Sequence, residues 1–199
     1  VLALKSGAIL FIFNVIICII LVLILIYSVF GSKQFLTSMV FVFLGITAIV
    51  AAIKYTVGAS AYGYKALGDI MVFLFFGWLS VLGTYFLYSK QIDFMMIFPA
   101  STIGLLSAGV LNLNNMRDIE SDRRSKKQTL AGYFGFKKAK LYHQILVGLA
   151  MLSILLYSYI TTNSSIYLIL IAFVPLLFHM NIVRKIKVPV EFDPQLKVL

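Results

Sequence analysis

Six apolar runs constrain this chain more than anything else in it. Residues 8–30, 35–53, 70–88, 94–112, 141–160 and 165–183 contain no Asp, Glu, Lys or Arg. Each is about 19 residues or longer, the length an α-helix needs to cross the hydrocarbon of a bilayer. Backbone polar groups in lipid must be satisfied within the segment. The runs therefore predict an all-α fold, a multi-pass transmembrane bundle of six spans with polar loops capping one end. Composition agrees: 61% of residues are hydrophobic, 12% are charged and the mean hydropathy is +1.00. A soluble domain carries roughly twice that charge, so a water-soluble fold is excluded.

The formal net charge of +10 could suggest a nucleic-acid partner, but the distribution of the charges points elsewhere. Alternating the loops between two sides places fifteen of the seventeen basic residues on one face and leaves only Lys33 and Lys90 on the other. That asymmetry is the positive-inside pattern, which predicts a cytoplasmic basic face and a protein of the inner (cytoplasmic) membrane. The charge reports topology and attraction to anionic headgroups, with no nucleic acid implied.

Isolated polar residues in the spans carry bland expectations. Cys18 is the only cysteine and is expected to be a small packing residue, Asn14 an interhelical hydrogen-bond donor, and His143 and His179 interfacial side chains near helix ends. Ala100, Gly104 and Ala108 recur every fourth residue, a small-residue stripe that lets a neighbouring helix approach closely. Pro99 and Pro175 lie within spans, where a freed carbonyl and a kink are tolerated if neighbours cover them. Val1 opens the chain with no signal-peptide pattern, so the first run is expected to be a true span of a chain that is incomplete.

The exception to this hydrocarbon is residues 112–127, Asn-Leu-Asn-Asn-Met-Arg-Asp-Ile-Glu-Ser-Asp-Arg-Arg-Ser-Lys-Lys, which hold three of the seven acidic residues. In a helix, Asn114, Asp118 and Asp122 fall four apart and share one face. Two carboxylates and a carboxamide so placed suit Mg²⁺, with Arg117, Arg123 and Lys127 flanking to hold phosphate charge. The bland alternative is a solvated loop whose charges neutralise one another. A second polar loop, residues 54–69, carries Tyr55, Tyr62 and Tyr64 among Lys54 and Lys65, with Gly58, Gly63 and Gly68 breaking any long helix. Its aromatic and cationic side chains sit at the mouth of the expected bundle or anchor to headgroups.

No span carries an ionisable cargo site of the kind a transporter needs. The ionisable clusters instead crown an apolar interior rich in Phe (17) and Tyr (11). That arrangement fits a ligand with a charged head and a long hydrocarbon tail, such as an isoprenyl diphosphate. Bound Mg²⁺ would make the diphosphate a better leaving group, and aromatic faces would stabilise an allylic cation.

These residues carry a family resemblance. Asn114-x-x-x-Asp118-x-x-x-Asp122 resembles the second aspartate-rich motif of the UbiA superfamily of membrane prenyltransferases. Tyr62-Gly-Tyr-Lys-Ala-Leu-Gly-Asp69, residues 72–77, residues 114–122 and Lys127-Gln-Thr-Leu-Ala131 are similar to the 1,4-dihydroxy-2-naphthoate polyprenyltransferases of menaquinone synthesis. The resemblance implies nine spans around a central cavity, Mg²⁺ dependence, a polyprenyl diphosphate donor and a naphthoate acceptor that loses its carboxylate. It implies metal and diphosphate binding by Asn114, Asp118 and Asp122, diphosphate contacts from Arg117, Lys127 and Lys65, and Tyr62 and Tyr64 at the reacting centre. Lys65 and Asp69 stand where many members have Arg and Glu. The resemblance further implies two spans and a first aspartate-rich motif before Val1 and another span after Leu199. Residues 1–199 are thus expected to be one prenyltransferase domain, incomplete at both ends and inactive alone. The alternatives are another aromatic acceptor such as 4-hydroxybenzoate, a prenyl alcohol substrate, or a non-catalytic quinone-binding membrane protein.

Overall fold

The computed structural model describes residues 2–56, 61–162 and 166–199, the side chains at 2–8, 11, 56, 62, 166 and 167 excepted. Among the described residues six helical stretches are long and apolar enough to cross a membrane: Ile12–Phe30, Phe35–Tyr55, Gly68–Ser89, Phe94–Arg117, Leu130–Ile160 and Leu168–Lys185. The predicted all-α, multi-pass architecture is therefore the observed one. The chain divides into two compact units, Val1–Ile53 and Lys54–Leu199.

The first unit is a helical hairpin. Helix α1 (Leu2–Phe30) turns through residues 31–34 into α2 (Phe35–Thr56). Phe30 and Phe41 pack in a tilted pair at 5.3 Å between ring centroids, and Gly45 faces Val22 across the hairpin. Most side chains of α1 are exposed, so two expectations change. Cys18 is exposed rather than packed. Asn14 donates to Leu10 O one turn back in its own helix (2.8 Å), so its amide is satisfied locally.

The second unit is built on α5 (Ile97–Arg117). One side of α5 meets a broken span made of α3 (Gly68–Val72), a π-helical segment Phe73–Leu79 and α4 (Ser80–Ser89). The small-residue stripe explains how close they come. A Cβ on Gly77 would stand 2.7 Å from Ala100 O, and one on Gly104 would stand 2.8 Å from Phe73 O, so the two backbones touch where both side chains are missing. Trp78 Nε1 donates to Ser101 Oγ (3.0 Å) across the same junction. Pro99 occupies the first turn of α5, where its missing N–H breaks no helical bond.

The other side of α5 packs on α7 (Leu130–Ile160). Side chains donate across this interface to backbone carbonyls: Asn112 Nδ2 to Ala139 O, Thr102 Oγ1 to Ala150 O and Ser153 Oγ to Phe98 O, at 2.9–3.2 Å. In α7, Gly135 (φ +73°) interrupts the helix near its start. Helix α8 (Ile166–Lys185) follows, and beyond it the basic tail does not trail into solvent. Lys140 Nζ donates to Arg184 O and Ile186 O (3.1 and 2.7 Å), and the chain folds back as a 3₁₀ segment, Pro189–Lys197. That segment buries Phe192 completely in a cluster with Leu113, Met116, Ala139 and Val183.

The histidines depart from expectation. His143 on α7 and His179 on α8 are both buried, with their Nε2 atoms 2.9 Å apart, and His179 Nδ1 lies 2.8 Å from Gln195 Oε1 of the folded-back segment. His143 lies near the middle of α7 and both rings are enclosed between packed helices, so each finds a polar partner inside.

Candidate active site

The acidic stretch is nearly one helix. Asp118 closes α5 with a non-helical ψ of 10°, and α6 (Ile119–Arg124) continues after it. The ladder survives the irregularity: Asp118 N donates to Asn114 O (3.0 Å) and Asp122 N to Asp118 O (2.8 Å). The four-residue spacing of Asn114, Asp118 and Asp122 thus remains a helical one.

Each carboxylate holds a cation. Arg117 grips Asp118 by two parallel bonds, Nε to Oδ1 at 2.8 Å and Nη2 to Oδ2 at 2.9 Å, while its Nη1 donates to Asp193 Oδ1 at 3.1 Å. The guanidinium holds the Asp118 carboxyl below its ordinary range against the opposing effect of partial burial. Lys127 Nζ donates to both oxygens of Asp122 (3.2 and 3.1 Å), and its charge also reaches Asp118.

The two polar loops meet beside this pair. Ala66 N donates to Gln128 O (2.9 Å) and Gln128 N to Tyr64 O (3.2 Å), a short parallel bridge between positions 65 and 128. Ala66 and Lys126 both take left-handed backbone conformations (φ +56° and +57°), which cost non-glycine residues about 1 kcal/mol or more and persist only where surrounding bonds enforce them. Here the bridge holds Ala66, and Lys127 N donating to Asp122 O (2.9 Å) holds Lys126. Thr129 then caps α7 by accepting from Gly132 N (3.1 Å).

Between α6 and the start of α7 lies an open cleft of about 750 Å³ whose charged lining is Asp122, Arg123, Lys126 and Lys127. Three cations and one carboxylate make it a place for an anion. Of the expected residues the cleft takes in Asp122 and Lys127. Asn114, Arg117 and Asp118 lie outside its lining, with Arg117 turned toward Asp193 instead. Tyr64 and Lys65 are exposed at the bridge, and the side chain of Tyr62 falls outside the described residues.

The donor set fits Mg²⁺ in kind, since Asn114, Asp118 and Asp122 offer only hard oxygens. Two carboxylates do not complete its shell, and no group of three or more His, Cys, Asp or Glu gathers among the described residues.

Two carboxylates take places that the sequence did not assign them. Asp69 at the start of α3 is 3% exposed, hydrogen-bonded by Tyr142, and its Oδ2 has no partner. Its signal was its place, an acidic residue at the end of the Tyr62–Asp69 motif and directly before an apolar run. Asp193 precedes a proline in the basic tail, and only its distance from Arg117 reveals it.

Comparison with known proteins identifies the family. The chain is 47% identical over 152 residues to a 1,4-dihydroxy-2-naphthoate octaprenyltransferase of Haemophilus influenzae, an alignment covering 76% of this chain and 49% of that protein. It is 44% identical over 124 residues to the protein of the same name from Escherichia coli K12, covering 62% and 40%. Human UbiA prenyltransferase domain-containing protein 1 is 34% identical over 116 residues, covering 57% and 32%. The chain thus spans half or less of the length of these relatives. No solved structure matches it. The model of the UbiA prenyltransferase family matches residues 4–188, and the chain belongs to that family.

Proposed function

We infer that this chain is part of an enzyme that transfers a polyprenyl group from its diphosphate to 1,4-dihydroxy-2-naphthoate in menaquinone synthesis. The observation that carries the reading is the cleft itself, in which Asp122 and three cations stand at one end of apolar helices. The names of the bacterial relatives support the naphthoate acceptor. Metal dependence is general in the family, and for this chain Mg²⁺ is the ion its oxygen donors suit. When bound, that ion supplies neutralisation of the diphosphate, which then departs more readily.

Asn114, Asp118 and Asp122 hold the metal in this reading. With the carboxylates given over to the metal, the N–H groups of Arg117 and Lys127 would be free to donate to phosphate oxygens. Lys65 at the adjoining bridge adds a third cation. The prenyl C–O bond breaks with its electron pair leaving on diphosphate, and Tyr62 and Tyr64 present aromatic faces to the allylic cation. The acceptor ring carbon bearing the carboxylate forms the new C–C bond. The electron pair released as that carboxylate leaves as CO₂ restores the ring, so the exchange balances without a separate base. The bilayer around the helices keeps water from the cation.

In this reading residues 1–199 form one prenyltransferase domain, placed in the inner membrane with the loops of residues 54–69 and 112–140 cytoplasmic. The test uses membranes carrying the longest natural reading frame that contains this chain, supplied with octaprenyl diphosphate and, in turn, the naphthoate and 4-hydroxybenzoate. Transfer to the naphthoate that stops on chelation of Mg²⁺ and in Asp118→Asn and Asp122→Asn is expected. Transfer to 4-hydroxybenzoate alone moves the acceptor assignment. Full activity in both variants would sink the reading.

A further inference from the structure

We propose that Asp193 is a positioning residue for Arg117, and that the folded-back segment Pro189–Lys197 exists in part to deliver it. The inference rests on the reading of the site as one for diphosphate. Its geometry is independent of that reading. The Arg117 guanidinium makes three bonds, two to Asp118 and one, through Nη1, to Asp193. The bonds to Asp118 cannot survive unchanged if that carboxylate ligates a metal. The bond to Asp193 can, so Asp193 is the group that still fixes the guanidinium when its fork is released toward phosphate.

The segment is built to hold that carboxylate in place. Phe192, the preceding residue, is fully buried with its ring 5.6 Å from that of Phe136. Gln195, two residues on, is 7% exposed and reaches His179. The backbone at Asp193 is thus pinned on both sides, and little freedom is lost when its side chain meets Arg117. Its carboxylate is more than half exposed, with a side-chain accessibility of 58%, so the pair adds little to folding. A residue whose neighbours are buried while it faces an arginine of the acidic helix is better explained by what it does to that arginine than by stability.

The test measures binding of inorganic pyrophosphate with Mg²⁺ by calorimetry on the detergent-solubilised longest natural protein containing this chain. The variants are Asp193→Ala, Asp193→Asn, Arg117→Ala and the double Asp193→Ala/Arg117→Ala, each with its unfolding temperature recorded. An exposed charge-assisted bond that orients a ligand group is expected to be worth about fivefold in affinity. Asp193→Ala should therefore weaken pyrophosphate about fivefold with an unchanged unfolding temperature. Asp193→Asn, whose carboxamide oxygen still accepts from Nη1, should recover part of that loss. Arg117→Ala should cost more, and the double variant no more than Arg117→Ala alone. Wild-type affinity in Asp193→Ala, or losses that simply add in the double variant, would overturn the role of Asp193 while leaving the diphosphate reading intact. A loss that follows a fall in unfolding temperature and is not rescued by Asn would mark Asp193 as structural and also overturn it. Failure of the wild-type protein to bind pyrophosphate would overturn the underlying reading and this proposal together.

Discussion

Lys127 Nζ stands 3.1 Å from Asp122 Oδ2 and 3.2 Å from Oδ1, five residues apart across the left-handed turn at Lys126. The side chains of both partners are largely buried, at 25% and 13% accessibility, which makes this the most sheltered ion pair among the described residues. The turn brings a cation back over the carboxylate that the preceding helix presents, so the local chain reversal and the electrostatics of the site are one feature.

Removing that cation leaves a sheltered carboxylate without its partner. Lys127→Met is expected to destabilise the protein by about 1–2 kcal/mol, less than the loss from a fully buried pair because both groups keep some contact with solvent. Asp122→Asn should cost less, since the carboxamide still accepts from Nζ. Denaturant unfolding in detergent measures both, and equal losses would argue against the pairing.

The Arg117–Asp118 fork makes stability depend on acid. Asp118 has its folded carboxyl held below the ordinary value of 3.8, chiefly by the Arg117 hydrogen bonds. The stabilisation is therefore present above about pH 4 and disappears as pH falls through the folded value. Partial exposure limits it to less than about 1 kcal/mol. The unfolding midpoints of wild type and Asp118→Asn should differ by a constant amount above about pH 5 and converge below it. A gap that widens in acid would reverse the assignment.

The crossing of α5 with the π-helical segment is expected to be intolerant. A methyl at Gly104 would meet the Phe73 carbonyl at 2.8 Å, and the obstacle is backbone, which cannot rotate away. Gly104→Ala should cost about 1–3 kcal/mol, whereas Gly83→Ala, with nothing within 4 Å, should be neutral or slightly stabilising. Thermal unfolding of the two variants side by side separates a packing effect from a helix-propensity effect.

The chain of His143, His179 and Gln195 ties the folded-back segment to α7 and α8. Gln195→Ala removes the partner of a buried ring nitrogen and should cost about 1–2 kcal/mol. The loss should be local, seen as faster amide exchange over residues 189–197 with little change in the helices. Unaltered exchange there would mean that Phe192 alone holds the segment.

What the order of residues determined by itself is the all-helical, membrane-crossing architecture, because a run of apolar residues long enough for a bilayer has no other way to satisfy its backbone. It also determined the placement of Asp118 and Asp122 one helical turn apart, since the helix period converts spacing into a shared face. Contacts distant in sequence were beyond it. The Tyr64–Gln128 and Ala66–Gln128 bonds, the pairing of His143 with His179 and the approach of Asp193 to Arg117 join residues 36 to 76 positions apart, and no local periodicity records such distances. Only the tertiary structure decided that Arg117 faces the tail and that the tail folds back. Those outcomes depend on which buried surfaces, Phe192 above all, find one another once the helices are packed.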